Sequence, residues 1–121
     1  MLSLKNFPKA LVQYARTKGK VTNMLSDSIL YGYSCYRKFE RGKKFGVVVA
    51  LDKDILGWSL CNKKDKFDKE KGVAIALGRA ALASEMSLSE RSNYYDQVPQ
   101  SLVKVFEEMR ERSKKYFQSN D

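Results

Sequence analysis

Alternation of apolar and polar positions is the clearest pattern in the first half of the chain. Over residues 28–39, β-branched and aromatic side chains recur at every second position, as in a half-buried β-strand. Two shorter apolar segments follow at 44–51 and 55–61. The sequence therefore predicts a three-stranded antiparallel meander, with turns at ERGKK (40–44) and DKD (52–54).

The middle predicted strand is apolar on both faces. In FGVVVAL (45–51), Val47 and Val49 lie on one face, and Val48 and Ala50 lie on the other. A strand with one face in water would alternate apolar with polar residues instead. We therefore expect both faces of the sheet to be covered, either by helices or by a second subunit in a homodimer.

Three helices are predicted to pack with this meander, at residues 8–18, 69–85 and 99–118. The second has the clearest signals, because Asp68 can cap its first turn and apolar residues recur behind it at helical spacing. A further helical turn is predicted after Ser87, whose S-L-S-E context fits a capping box. The fold class is therefore α+β, with residues 1–121 forming a single compact domain.

Three finer details are also predicted. Residues 20–27 are interpreted as a connector that leads into the first strand. Gly78 costs about 1 kcal/mol relative to alanine in a helix interior, which suggests that the helix backbone lies close to the sheet there. Gly42, in the ERGKK turn, is expected to take a positive φ angle.

Composition indicates an intracellular globular protein. Hydrophobic residues make up 43% of the 121 positions and charged residues 31%, which excludes a largely disordered chain. No apolar segment approaches the roughly 20 residues of a membrane span, and the first residues lack the apolar core of a secretory signal. Cys35 and Cys61 lie far apart and are expected to be reduced thiols. These features predict a cytoplasmic protein without a membrane partner.

Positive charge is concentrated in the first half of the chain. The net charge is +9, from 23 Lys and Arg against 14 Asp and Glu. Residues 1–51 contain 10 basic and 2 acidic residues, whereas residues 52–121 contain 13 and 12. Such asymmetry is typical of proteins with an anionic partner, most often nucleic acid. The predicted nucleic-acid-binding residues are Lys5, Lys9, Arg16, Lys18, Lys20, Arg37, Lys38, Arg41, Lys43 and Lys44.

Half of these cations surround the predicted ERGKK turn, where aromatic residues such as Tyr36 and Phe39 are interleaved with them. Basic hairpins with aromatic neighbours can enter a groove or stack on unpaired bases. The alternative is that the lysines only prevent edge-to-edge pairing of strands. The sequence favours neither interpretation over the other.

Residues that carry catalysis are sparse. The chain has no histidine, which is the commonest general base and a frequent metal ligand, and no glycine-rich phosphate-binding motif. The pairs Asp52/Asp54 and Asp65/Asp68 lie at a turn and before a helix, where aspartate is favoured for local hydrogen bonds and capping. We therefore predict a protein that is not an enzyme and that holds no cofactor and no metal.

The charged segment KKDKFDKEK (63–71) allows three interpretations. In the first it is only a strand-to-helix joint, with Phe67 in the core and Asp68 as the cap. In the second, its lysines and the N-terminus of the next helix bind a phosphate, although neighbouring carboxylates compete for that position. In the third it is a docking loop for another protein.

The run GWSLCNKKDKFDKEKGVAIALGRA (57–80) resembles a motif of small bacteriophage proteins. The matching positions are Gly57, Ser59, Leu60, Cys61, Lys64, Asp65, Phe67, Gly72, Ile75, Ala76, Gly78, Arg79 and Ala80. This resemblance implies a phage-encoded protein that is expressed in the cytoplasm of a bacterial host. It implies no catalytic residues.

The predicted layout of a meander followed by a helix is similar to the DNA-binding domains of plant ethylene-response factors and the arm-binding domains of phage integrases. Those domains place an open sheet face in the major groove. The segment FGVVVAL (45–51) lacks the polar alternation that such a face requires. The predicted first helix and the 37–44 hairpin are therefore the expected contacts.

Two hypotheses about function follow. The first is a non-catalytic basic protein that binds nucleic acid through the predicted first helix and the 37–44 hairpin. The second is a phage interaction protein that binds and inhibits a host or anti-phage defence protein. The partner is a nucleic acid in the first case and a bacterial protein in the second.

Overall fold

The computed structural model of the chain describes residues 2–28, 32–62 and 64–117, with only the backbone described at 22–28 and 32–38. Its strands are β1 (Leu11–Arg16), β2 (Lys20–Ser28), β3 (Gly32–Glu40), β4 (Lys44–Asp52) and β5 (Ile55–Leu60). Its α-helices are α1 (Lys69–Ser84), α2 (Leu88–Tyr95) and α3 (Val103–Tyr116). Short 3₁₀ helices occupy Leu4–Asn6 and Gln100–Leu102. The α+β class is confirmed.

A three-stranded antiparallel sheet, in the order β1-β4-β5, lies at the centre of the fold. The apolar strand β4 is the middle strand, where Val48 pairs with Gln13 of β1 and with Trp58 of β5. Residues 47–50 have no exposed surface. A strand buried on both faces requires a continuous apolar run, which accounts for the composition of this segment.

Helix α1 covers one face of this sheet. The buried residues between them are Val47, Val49, Val73, Ala76, Leu77 and Ala80. Strand β5 presents Gly57 to the helix, and a Cβ at this position would collide with the carbonyl oxygen of Ala76 and the amide nitrogen of Ala80. The missing side chain therefore sets how closely α1 approaches the sheet.

Helices α2 and α3 cover the opposite face, where the larger side chains lie. Trp58 and Phe106 pack edge to face, with ring centroids 5.8 Å apart, and Phe106 meets Tyr95 at 4.9 Å. Leu102 and Met109 are completely buried on the same side. The expectation that both sheet faces are covered is thus confirmed, and helices of the same chain provide the cover.

Strands β2 and β3 form a separate antiparallel ribbon. Their register runs from Lys20 opposite Glu40 to Ser28 opposite Gly32. Each strand has 9 residues, which corresponds to a length of about 30 Å. In the part of the chain that the structure describes, these two strands pair only with each other.

The helix predicted at 8–18 is wrong, because this segment contains strand β1. Its apolar residues fit both periods: Leu11 and Ala15 join the α3 side of the core, while Val12 and Tyr14 pack on the α1 side. Pairing with the buried strand β4 decides in favour of the strand, because a central strand needs a hydrogen-bonded neighbour on each side. The connector predicted at 20–27 is also wrong, since it forms most of β2.

The predicted meander is correct for β4 and β5 but wrong for its first strand. The strand predicted at 28–39 contributes β3, which pairs with β2, and β1 takes the third place in the central sheet. Positions 29–31 of that prediction lie outside the described residues. The ERGKK segment is not a hairpin turn, because residues 41–43 instead join β3 to β4.

The helices predicted at 69–85 and 99–118 are confirmed with shorter ends. Asp68 caps α1 by accepting a hydrogen bond from the Lys71 N–H at 3.2 Å. The last helix starts as the 3₁₀ turn and continues as α3 to Tyr116, while position 118 lies outside the described residues. The helical turn predicted after Ser87 is present as α2.

The close approach predicted at Gly78 is wrong. A Cβ at Gly78 would meet open space, whereas the tight contact between helix and sheet lies at Gly57. The reason is that α1 turns Val73, Ala76, Leu77 and Ala80 towards the sheet and leaves Gly78 beside that stripe.

Candidate nucleic-acid interface

The register of the strands brings two basic segments of the sequence together. Arg16, at the end of β1, pairs with Lys44, at the start of β4, and Lys20 of β2 lies opposite Glu40 of β3. We refer to residues 16–20 and 41–44 as the junction, since they connect the sheet to the ribbon. The junction contains six cations and no acidic residue.

Backbone hydrogen bonds hold the two sides of the junction in contact. The N–H of Thr17 donates to the Lys43 carbonyl at 2.9 Å, and the N–H of Lys43 donates to the Thr17 hydroxyl at 2.9 Å. Arg16 donates from Nη1 to the Gly42 carbonyl at 3.1 Å. A glycine is needed at position 42 for close packing, because the Thr17 carbonyl occupies the space that a Cβ would fill. The positive φ angle predicted for Gly42 is wrong.

Two lysines lie against the ring of Tyr14 beside the junction. The ammonium nitrogen of Lys44 is 4.2 Å from the ring centroid, and that of Lys69 is 5.8 Å away. Partial burial, followed by the charges of Arg16, Lys69 and Arg41, lowers the pKa of Lys44 below its ordinary value. The neighbouring cations thus add to the effect of burial on the pKa of Lys44.

Lys18, Arg41 and Lys43 are exposed at the junction, on the two segments that link the strands. Arg37 and Lys38 lie on β3, in register with Asn23 and Thr22 respectively.

The other two predicted residues precede β1. Lys5 belongs to the first 3₁₀ helix and lines a cavity of about 460 Å³ together with Leu2, Leu4 and Lys69. Lys9 is exposed between that helix and β1. Lys9 does not lie on the helix predicted at 8–18, because this segment contains strand β1 instead.

Sequence reasoning missed Tyr14 and Lys69 as parts of this region. Lys69 belongs to the charged segment at 63–71, far from Tyr14 in the sequence, and only the fold brings the two residues together. The one available signal was the hypothesis that this segment binds phosphate through its lysines. The structure shows Lys69 of this segment beside Tyr14, while Lys63 lies outside the described residues.

The rest of the charged segment has the structural role of a joint. Phe67 packs edge to face on Tyr14, with centroids 6.2 Å apart, and Asp68 caps α1. The thiol of Cys61 lies 3.4 Å from the backbone carbonyl oxygens of Asn62 and Asp65. A cleft of about 450 Å³ runs beside Cys61 and Phe67 to Lys44.

The aspartates of the β4–β5 turn have local structural partners. Asp52 accepts a hydrogen bond from the Lys53 N–H at 2.7 Å. Asp54 has a positive φ of 58° and forms an ion pair with Arg110 at 2.8 Å. The Asp52 carboxylate thus makes the local hydrogen bond that the sequence predicts, whereas the Asp54 carboxylate pairs with helix α3 instead.

No group of three or more His, Cys, Asp and Glu side chains is placed to hold a metal ion in the described part of the chain. None of the helices described has both the length and the apolar character needed to span a membrane.

No protein-family model, curated protein or solved structure matches the chain.

Proposed function

We propose that the protein is a non-catalytic nucleic-acid-binding protein whose β2–β3 ribbon enters the groove of a duplex. The observation that carries this proposal is the junction, where six cations from two separate segments meet without an acidic residue. Phosphate contacts from such cations supply most of the affinity of nucleic-acid-binding proteins. The ribbon begins at this charged region, so a duplex held there would meet the ribbon as well.

The shape of the ribbon supports this function. A two-stranded antiparallel ribbon fits the major groove of B-DNA, which is about 12 Å wide. The central sheet is unsuited to that task, because helices cover both of its faces. The contact surface therefore differs from the open sheet face of the domains that the predicted layout resembles.

Residue types along the ribbon fit contacts to bases as well as to phosphates. Asn23 and Arg37 lie opposite each other in the register, and Thr22 lies opposite Lys38. Arginine and asparagine are the side chains that bind guanine and adenine edges with paired hydrogen bonds. On this proposal Arg37 and Asn23 contact base edges, while the junction cations contact the backbone.

The test is fluorescence anisotropy with labelled duplex and single-stranded probes across a range of salt concentrations. We expect tighter binding to the duplex and a linear fall of log K with log salt, at about −0.9 per phosphate neutralised. The variant Arg37→Gln/Lys38→Gln should weaken duplex binding about tenfold. The matched control is Arg112→Gln/Lys115→Gln, which removes the same charges from exposed positions on α3 and should change affinity less than about twofold.

Absence of binding to either probe at low salt would refute the proposal. Equal loss of affinity in the ribbon variant and its control would also refute it, because net charge alone would then explain binding.

A bacterial protein is the second candidate partner, and an exposed apolar pair favours it. Val21 and Phe39 lie opposite each other on the ribbon and are 61% and 67% exposed. Aromatic residues next to cations are enriched in protein interfaces. Together with the phage-like motif, this pair supports an alternative in which the chain binds and inhibits a host or defence protein. A stoichiometric partner that survives nuclease treatment and is lost with Val21→Ser would support it, and an empty nuclease-treated eluate would count against it.

A further inference from the structure

Four cations at and beside the junction have no carboxylate partner. They are Arg16, Arg41, Lys44 and Lys69, and in the described part of the chain none of them forms an ion pair. The opposite side of the molecule differs, since Arg110 and Lys114 on α3 pair with Asp54 and Glu111. Arg16, Arg41, Lys44 and Lys69 thus keep their full positive charge without a carboxylate of the described residues to offset it.

The geometry concentrates these charges instead of spreading them. Lys44 is cross-strand partner to Arg16, and its ammonium lies on the same aromatic ring as that of Lys69. Arg16 is held in place by its hydrogen bond to Gly42. Like charges held close together raise the free energy of the unbound protein, and an anion that binds between them would remove this cost.

The Tyr14 ring selects the chemistry of that anion. The ammonium nitrogens of Lys44 and Lys69 lie 4.2 Å and 5.8 Å from its centroid, and Phe67 packs on it edge to face, so the ring supports two ammonium groups. A cation over an aromatic face is stabilised by about 0.5–1 kcal/mol at exposed sites. The site therefore suits a compact anion such as a phosphate better than a nucleobase.

The neighbouring backbone and carboxylates are compatible with such an anion. Lys69 is the first residue of α1, and the free amides of a helix N-terminus add positive potential. Asp68 is the nearest carboxylate along the chain, and its side chain accepts the Lys71 N–H, so it is engaged in capping. Glu70 is exposed and lines the cavity near Leu2 together with Lys69, but in the described part of the chain these two side chains form no ion pair.

We propose that Arg16, Lys44 and Lys69, on the floor formed by Tyr14, bind a backbone phosphate of the duplex that the ribbon enters. This inference rests on the proposed function and adds to it a site on the body of the protein, outside the ribbon. Because the ligand is a phosphate, the contact contributes affinity equally for all sequences and sets where the ribbon begins to follow the groove.

The double variant Lys44→Gln/Lys69→Gln tests the site with two duplexes of unrelated sequence. We expect weaker binding to both duplexes by the same factor, about tenfold or more at low salt, and a salt slope smaller in magnitude by about 1–2. The matched control is Lys104→Gln/Lys115→Gln, which removes two exposed lysines from α3, and its slope should equal that of the wild type. Lys44→Arg/Lys69→Arg should restore the slope, because the charges return.

The outcomes separate the two proposals. If the wild type binds duplex and the Lys44/Lys69 variant retains the wild-type slope, the phosphate site is overturned and the ribbon proposal stands. A loss confined to one of the two duplexes would also overturn it, since phosphates carry no sequence information. If the wild type binds no duplex, the proposed function fails, and the phosphate site fails with it.

Discussion

The hydroxyl of Tyr95 donates a hydrogen bond to the carbonyl oxygen of Asp54 at 2.6 Å and so ties helix α2 to the β4–β5 turn. The hydroxyl oxygen of Tyr95 in turn accepts the N–H of Leu56 at 2.9 Å. Helix α3 adds two contacts to this turn: Arg110 binds the Asp54 carboxylate, and the Ser113 hydroxyl accepts the Asp54 N–H at 3.2 Å. A residue with a positive φ angle is thus held by partners from two helices.

Substitution of Tyr95 by phenylalanine should lower the free energy of unfolding by about 2 kcal/mol. The change removes two hydrogen bonds and leaves the buried N–H of Leu56 without its acceptor. Urea denaturation followed by circular dichroism measures the effect. The matched control is Tyr94→Phe, since the Tyr94 ring packs on Trp58 at 5.0 Å and its hydroxyl has no hydrogen bond among the described residues. Equal stability of the two variants would contradict the prediction.

Stability should also depend on pH through Tyr95. Burial raises the pKa of Tyr95 above its ordinary value of 10.0, because the charged phenolate is poorly solvated in the core. The folded protein then holds this proton more tightly than the unfolded chain does. The contribution of Tyr95 to stability is therefore complete below pH 10 and decreases as the pH rises towards the folded pKa. Denaturation across this pH range should show a loss in the wild type that is smaller in Tyr95→Phe.

Gly57 in strand β5 and Gly78 in helix α1 should respond in opposite ways to substitution by alanine. Gly57→Ala should destabilise the protein by about 3 kcal/mol, because the new methyl group meets the backbone of α1 and the helix must shift. Gly78→Ala should be neutral or stabilise by up to about 1 kcal/mol, because space is open there and alanine favours the helix. Thermal denaturation of both variants tests the pair. A larger loss at Gly78 than at Gly57 would contradict the packing described above.

Neutralising Arg41 should raise the pKa of Lys44. Burial lowers this pKa, and Arg16, Lys69 and Arg41 lower it further by repulsion. Arg41 is exposed, so Arg41→Gln removes a charge without removing a packing contact from the core. An NMR titration of the Lys44 side chain measures the shift, with Lys43→Gln as the control at a neighbouring exposed position. No difference between the two variants would show that the cations of the junction are too far apart to interact.

Prediction from sequence succeeded where one segment carried its own signals. The apolar run of β4, the turn into β5 and the cap at Asp68 each depend on nearby residues, and all three are present. The predictions at 8–18 and 20–27 failed, because β1 and β2 are defined by strands that follow them in the chain. Short apolar segments of this kind fit a helix or a strand equally well until a partner is known.

The sequence by itself determined that the chain is basic in its first half, that β4 is buried on both faces, and that α1 begins after Asp68. These are properties of composition and local spacing. Only the tertiary structure decided that β1, and not the 28–39 strand, completes the sheet, and that Lys44 and Lys69 share the ring of Tyr14. Both depend on contacts between distant segments, which backbone pairing and packing select together and which no local pattern contains.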